Sequence, residues 1–395
     1  MLEQQRIRYF VSNNLEPVHG NSPLWNIALP LSRHQHSCPG VMPADENLTY
    51  GEYFGAVADF LEAHQSDFIA RAVFQLLKRT LHPHEISSIR IHLEKHGAFY
   101  HPAKIVLSLS DCRISLVVNV AVSTVGKNII KNEYRQLKRL ANKLSPAKVP
   151  LVFGCGKVRI DGQRYIQMFL GEWLEAFHEF HVSDRKGQGA SGIRVWDPKR
   201  GNLFLSQHQA WHVFEQAAMI LTAYYNIETF EQIDSWHHAA GDFVVCMHGD
   251  EPRVKLITVR QYKPLFNLSG EVDTLETILN TLLIFLLNMS IRLRIDRVDG
   301  VGDVTWVEAD VVPGIINGFF NGLVLQVENS HLPRALMEAF KAFLLHLPER
   351  DIRDIFFGIV HQIDPKNPDL PIIKQNIDNH IEAVFAGLHQ MESSM

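Results

Sequence analysis

The sequence predicts an α+β protein in which a sheet-rich stretch is followed by a largely helical one. Three observations carry this. Between residues 87 and 172 apolar residues come in short alternating or continuous runs bounded by turn formers, the pattern of strands. On either side they recur at three- and four-residue spacing, the pattern of helices buried on one face. Composition agrees: of 395 residues, 46% are hydrophobic and 21% charged. Those proportions exclude a disordered tail, a collagen-like rod and a small disulfide scaffold.

In chain order, the first forty residues are irregular, broken by Pro17, Pro23, Pro30 and Pro39. From Thr49 the run TYGEYFGAVADFLEAHQ sets Tyr53, Phe54, Val57, Phe60 and Leu61 on one helical stripe, and DFIARAVFQLLKRTL carries a second. Residues 1–86 therefore read as an N-terminal helical extension. SIRIHLEKHG, AKIVLSLS and RISLVVNVAVS read as three strands of an antiparallel meander. KNIIKNEYRQLKRLANKL is an amphipathic helix with Ile129, Ile130, Tyr134, Leu137 and Leu140 on one face, stopped by Pro146 and Pro150. KVPLVFGCGKVRI and RYIQMFLGEW follow as two strands around the turn Asp161-Gly162.

Residues 87–172 form, on this reading, a small sheet-rich domain, and residues 173–395 a large helical one. In the second, QHQAWHVFEQAAMILTAYYN is a long amphipathic helix, and the loop SWHHAAGD leads into two strands, FVVCMH and RVKLITVRQY. The most apolar run, residues 278–291, is 14 residues long. About 20 are needed to span a bilayer, so it reads as a buried core helix.

Charge and cysteines narrow the setting. Thirty-eight basic residues against 43 acidic ones give a net charge of -5, with no bulk electrostatic reason to bind nucleic acid or a membrane surface. Cys38, Cys112, Cys155 and Cys246 form no CxxC pair, and the start MLEQQRIRYFVSNN lacks the apolar run of a signal peptide. A cytoplasmic location is the expectation.

Three strands, a helix, two strands, and then helices carrying a loop and a strand pair: this order resembles the protein-kinase-like fold, and in particular its aminoglycoside-phosphotransferase-like branch. The resemblance covers roughly residues 87–300. It implies a two-lobed fold, ATP and magnesium as cofactors, and a set of site positions. Asn119, in VVNVAVS, stands where the family has a phosphate-holding lysine, so Lys127 or Lys131 would have to supply the charge. Glu133, in KNEYRQL, matches the helix glutamate that orients that lysine, with a solvated helix face as the competing reading. The link KHGAFYHP has the single glycine Gly97 where the family is glycine-rich, and Lys95 and His101 are its candidates for contacting an anion.

In WHHAAGDFVV the resemblance puts Asp242 at a metal-binding position and His237 at that of the catalytic aspartate, where an imidazole can act as general base. Structural roles compete here too: a loop cap for Asp242, and for His237 and His238 a pair packed on Trp236. Thr258, in RVKLITVRQY, occupies the place of a second metal-binding aspartate. With three polar anchors replaced, the resemblance implies a pseudokinase-type binding module, with a nucleotide and an unidentified protein as partners, or a weak ATP-dependent transferase.

The 21 histidines support a rival from another class. They cluster at His34 and His36, at His178 and His181, and at His237 and His238. His178 and His181, sharing a helix face in HEFH, could join His237, His238 and Asp242 in a metal-dependent hydrolase. Two further segments read as structural. RIDRVDGVGD is a turn with Asp296, Asp299 and Asp303 paired to Arg292, Arg294 and Arg297, and RKGQGASG is a flexible glycine-rich loop.

Overall fold

The computed structural model describes residues 7–11, 16–30, 48–97, 99–185, 190–234, 242–265 and 274–392. The chain divides into two compact units, one of Met1–Asn142 with Pro150–Glu175, the other of Lys143–Val149 with Ala176–Met395.

The first unit is built on a six-stranded sheet ordered β1-β2-β3-β4-β6-β5. Its strands are β1 (Ile7–Val11), β2 (Ser88–Leu93), β3 (Ala103–Ser108), β4 (Arg113–Ala121), β5 (Val152–Arg159) and β6 (Tyr165–Glu172). The five from β2 onward pair antiparallel, as their alternation and the Asp161-Gly162 turn predict. Because side chains alternate along a strand, Ile89, Ile91, Ile105, Leu107, Leu116, Val118 and Val120 fall on one buried face.

Helices α1 (Tyr50–Ala63) and α2 (Ala70–Leu77) contribute to the same core. Thr49 and Glu52 close a reciprocal capping box at the start of α1, and Tyr53, Phe54, Val57 and Phe60 are its buried stripe. An apolar stripe must be covered, and the sheet supplies the cover. At β5 the approach is close: a Cβ atom on Gly154 would lie 2.2 Å from the Phe68 ring. Within the stretch that reads as irregular, at the start of the expected helical extension, Ile7–Val11 is a strand, parallel to β2. It pairs an edge that would otherwise stay open.

Ser123 caps α3 (Thr124–Leu140). The α3 residue Tyr134 sets its ring 6.1 Å from that of Phe169 on β6. Phe169 is in register with Asn119 on β4 and Cys155 on β5, and directly opposed residues share a face.

The second unit holds more strand than its sequence pattern predicts. Directly after the first unit comes a three-stranded sheet of β7 (Phe180–Arg185), β8 (Ala190–Val195) and β9 (Leu203–Phe204). RKGQGASG thus straddles a hairpin, with residues 186–189 outside the described ones. HEFH is extended rather than helical: His181 belongs to β7, and His178 bridges to Val245.

RVKLITVRQY splits in two. β11 (Phe243–His248) pairs with β12 (Glu251–Leu256), whereas β10 (Glu231–Asp234) pairs with β13 (Gln261–Pro264). RIDRVDGVGD forms the hairpin of β14 (Ile295–Arg297) and β15 (Val304–Trp306). Two of its acids, Asp296 and Asp299, are paired, but not to the arginines expected. Asp296 accepts from the Val182 amide, and Asp299 from Ser183 and Arg194. The arginines are engaged elsewhere: Arg292 with Asp234, Arg294 with the Val307 carbonyl and His380, and Arg297 with the Gly302 carbonyl.

Among the described residues, the helices of this unit are α4 (Gln207–Ala223), α5 (Leu275–Leu293), α6 (Val312–Glu328), α7 (Arg334–Leu345), α8 (Glu349–His361) and α9 (Leu370–Glu392). At 19 residues α5 is longer than the apolar run that announced it, and Leu282, Leu283, Phe285 and Leu286 are buried as a core helix requires. By length and hydropathy alone, α5 and residues 309–328 could also cross a bilayer.

Helices α4 and α6 meet backbone to backbone. Gly314, Gly318 and Gly322 recur every fourth residue along α6. Cβ atoms there would lie 2.7 Å from Trp211 O, 2.0 Å from Glu215 O and 2.5 Å from Thr222 Cβ. Any side chain would force the helices apart.

Candidate functional site

The kinase-related positions fall into two sets, one in each unit. In the first unit, Glu133 is 2% exposed, which overturns the solvated-face reading. Its Oε2 accepts a hydrogen bond of 2.6 Å from the Tyr100 hydroxyl. Asn119 is half-buried on β4, and Lys95 is exposed in the link between β2 and β3.

That link is closed on itself. Gly97 N donates to Tyr100 O at 2.9 Å, and His101 N donates to Val120 O at 2.9 Å. Phe99 O lies so near the start of α3 that a Cβ atom on Gly126 would be 2.7 Å from it. A phosphate-cradling loop needs free amides, and the Gly97 amide is already bonded within the loop.

His101 does not contact an anion as a cation. It is 5% exposed, its Nδ1 lies 3.0 Å from His96 Nδ1, and the Tyr53 hydroxyl donates to its carbonyl. Burial first, and the charge of His96 second, push its pKa down to about 4. At neutral pH the ring carries no charge.

Lys127, a candidate substitute for the missing lysine, is 9% exposed, with its Nζ 4.4 Å from the Tyr165 ring centroid. The aromatic face partly offsets the cost of burying the ammonium.

In the second unit, Asp242 immediately precedes β11, as its sequence context predicts. The register pairs Phe243 with Leu256, which leaves Ile257 opposite Asp242, and Ile257 N donates to Asp242 O at 2.9 Å. The chain then turns, and Arg260 comes within reach. Its Nη2 lies 2.8 Å from Asp242 Oδ1 and its Nη1 3.2 Å from Oδ2. The carboxylate, on a residue 4% exposed, is thus held at both oxygens by one guanidinium. Thr258, half-buried, lies in the same turn. His237 and His238 lie outside the described residues.

The rival histidine site draws less from the structure. His178 Nε2 is 3.5 Å from Asp197, and His181 Nδ1 is 3.2 Å from Asp296. Each pairs with a different carboxylate. Among the described residues, no three His, Cys, Asp or Glu side chains group as a metal site. His34 and His36 also lie outside the described residues.

Two residues that matter here were not singled out from sequence, Tyr100 and Arg260. Nothing in KHGAFYHP marks Tyr100 as the partner of Glu133, because the two are 33 positions apart. Arg260 could have been found by noting that an arginine just after a strand paired to Asp242 can fold back on it.

No family model matches the chain, and no curated protein matches it. Among solved structures it is similar to WaaP in complex with acyl carrier protein, at 12% identity and a TM-score of 0.27, over 62% of this chain and 86% of that one. It is also similar to a chain from Haemophilus somnus 129PT named as a fructosamine-3-kinase, at 11% identity and a TM-score of 0.22, over 82% of this chain and 98% of that one. The functional reading therefore rests on the residues of the chain itself.

Proposed function

We propose that the chain is a kinase-like protein of the pseudokinase type, a binding module that does not carry out magnesium-dependent phosphotransfer. The order β2, β3, β4, α3, β5, β6, followed by helices that carry the β11–β12 pair, supports the kinase-like part. The observation that carries the rest is the Arg260–Asp242 pair.

Magnesium does not fit this donor set. The ion needs carboxylate oxygens open to it, and both oxygens of Asp242 accept from Arg260. Thr258 offers a hydroxyl where a second carboxylate would be needed. The guanidinium supplies internally the positive charge that a divalent ion would bring. Asn119 brings none to a phosphate, and the Gly97 amide is bonded within its own loop. Binding of a nucleotide without turnover, or of a protein partner, is the function left to such a scaffold. A cytoplasmic setting belongs to the same proposal, supported by the scattered cysteines.

A thermal-shift series with ATP and GTP, each with and without magnesium, tests this alongside a phosphotransfer assay. The expected result is no magnesium-dependent shift and no turnover above that of Asp242→Ala. Magnesium-dependent binding and turnover that both vanish in Asp242→Ala would establish the weak-transferase reading instead.

A further inference from the structure

Outside the kinase-related positions, α4 carries a pair of histidines whose geometry has no part in that proposal. His208 and His212 are one helical turn apart, and their Nε2 atoms face each other at 3.2 Å. His208 is exposed and the His212 side chain is 34% exposed, so the point between the two rings is open to solvent.

We infer that His208 and His212 form a two-imidazole site for a divalent ion of the zinc and copper(II) class, with Glu215 as its outer carboxylate. The first argument is distance. Zinc–imidazole bonds are about 2.0–2.1 Å, so two such bonds at a tetrahedral angle set the nitrogens about 3.3–3.4 Å apart, and at a right angle about 2.9 Å. The observed 3.2 Å lies between these limits. An ion there keeps the nitrogen spacing, while the rings, T-shaped with centroids 4.4 Å apart, turn their lone pairs toward it.

The second argument is the support behind the rings. His212 Nδ1 lies 2.8 Å from Glu215 Oε2, so the imidazole donates its Nδ1 proton to a carboxylate and turns a bare Nε2 outward. That arrangement fixes the tautomer a metal requires and raises the basicity of the ligand. Glu215 is itself held. Its Oε1 accepts from Asn317 at 2.5 Å and from Asn321 at 3.0 Å, both on α6. The glycine stripe of α6 brings those asparagines that close. The T-shaped contact of Trp211 with the His212 ring, centroids 4.8 Å apart, restrains it further.

Borderline-soft ions prefer imidazole, whereas magnesium and calcium prefer oxygen, which sets the class of ion. Among the described residues no third His, Cys, Asp or Glu completes a group. Two positions come from the protein and water fills the rest. The bound ion staples the first turns of α4.

Titration calorimetry of the full chain with Zn²⁺ and with Cu²⁺, joined to Cu²⁺ paramagnetic resonance, tests the site. One ion per chain should bind in a manner that depends on this pair, with a copper spectrum showing two imidazole nitrogens. His208→Ala and His212→Ala should each weaken binding at least about tenfold, and Glu215→Gln by about 10–100-fold while both ligands remain. His82→Ala, in the other unit, should change nothing. Circular dichroism of each variant separates loss of the site from loss of the fold, and exposed His208 is the substitution least able to disturb packing. Absence of binding in the wild type, or binding of unchanged affinity in folded His208→Ala, would overturn the proposal.

Discussion

The Tyr100 hydroxyl donates to Glu133 Oε2 at 2.6 Å, tying the link between β2 and β3 to the middle of α3. The glutamate that a kinase-like site would aim at a lysine is here engaged by a phenol. Tyr100→Phe removes the donor and keeps the ring. The expected cost is about 1–3 kcal/mol, the usual penalty when a buried charged group loses a hydrogen bond. Urea unfolding of the variant measures it. A change below about 0.5 kcal/mol would mean that the contact contributes nothing net.

Asp242 and Arg260 call for a double-mutant cycle. The Arg260 side chain is 17% exposed and that of Asp242 5%, so removing either partner leaves the other poorly solvated. Asp242→Asn, which removes the charge and keeps the shape, should therefore destabilise by about 3–5 kcal/mol. Arg260→Met should cost a similar amount. Combining Asp242→Asn with Arg260→Met should cost far less than the sum, because no charge is left behind. Strict additivity in denaturant unfolding would refute the pairing.

The same residues show what could and could not be read from sequence. Strands β2 to β6 were legible because each alternates and each is bounded by a turn former. Helix α1 was legible from its stripe and α5 from its uninterrupted apolar run. The strand β1 was not, since IRYFV is too short to show a period and its register partners on β2, Ile89 for Ile7 through Leu93 for Val11, lie far along the chain. HEFH misleads as a helix because an i, i+3 spacing is equally compatible with an extended segment. Asp242 was placed correctly at the start of its strand, but its role turns on Arg260, and a bidentate pair is a fact of the turn geometry. His208 and His212 carry a visible signal, His-x-x-x-His with Glu three residues on, which an amphipathic helix otherwise hides.

Phe285 tests the core of the second unit. It is 4% exposed, and its ring stacks on Tyr225 with centroids 4.4 Å apart. Phe285→Ala should lower stability by about 3–5 kcal/mol through lost burial and the cavity left behind. Recovery of the chain in a membrane fraction, with its stability unchanged by the substitution, would point to α5 as a crossing helix instead.

His380 predicts how stability changes with pH. It is fully buried on α9, where Arg294 Nη1 donates to its Nδ1 at 2.9 Å. Its Nε2 proton is then directed at Ser290 Oγ, 2.9 Å away, and Ser290 donates to Leu287 O at 2.7 Å. Every position on the ring is used, and a second proton would face the guanidinium. Burial, with Arg294 adding to it, drives the His380 pKa well below the usual histidine value of 6.5. In the unfolded chain the ring titrates near 6.5, so below that pH the unfolded state binds a proton that the native state refuses. Stability is therefore fully present above pH 6.5 and is lost as pH falls toward the native pKa, by up to about 1.4 kcal/mol per pH unit. His101 acts in the same direction in the first unit, over the window from 6.5 down to about 4. Unfolding at pH 7.5, 6.5 and 5.0 should show the slope. His380→Gln, which has no titrating ring, should flatten it between pH 6.5 and 5.0 while leaving the share due to His101. A variant with the full wild-type slope would show that His380 is not the group whose protonation is refused.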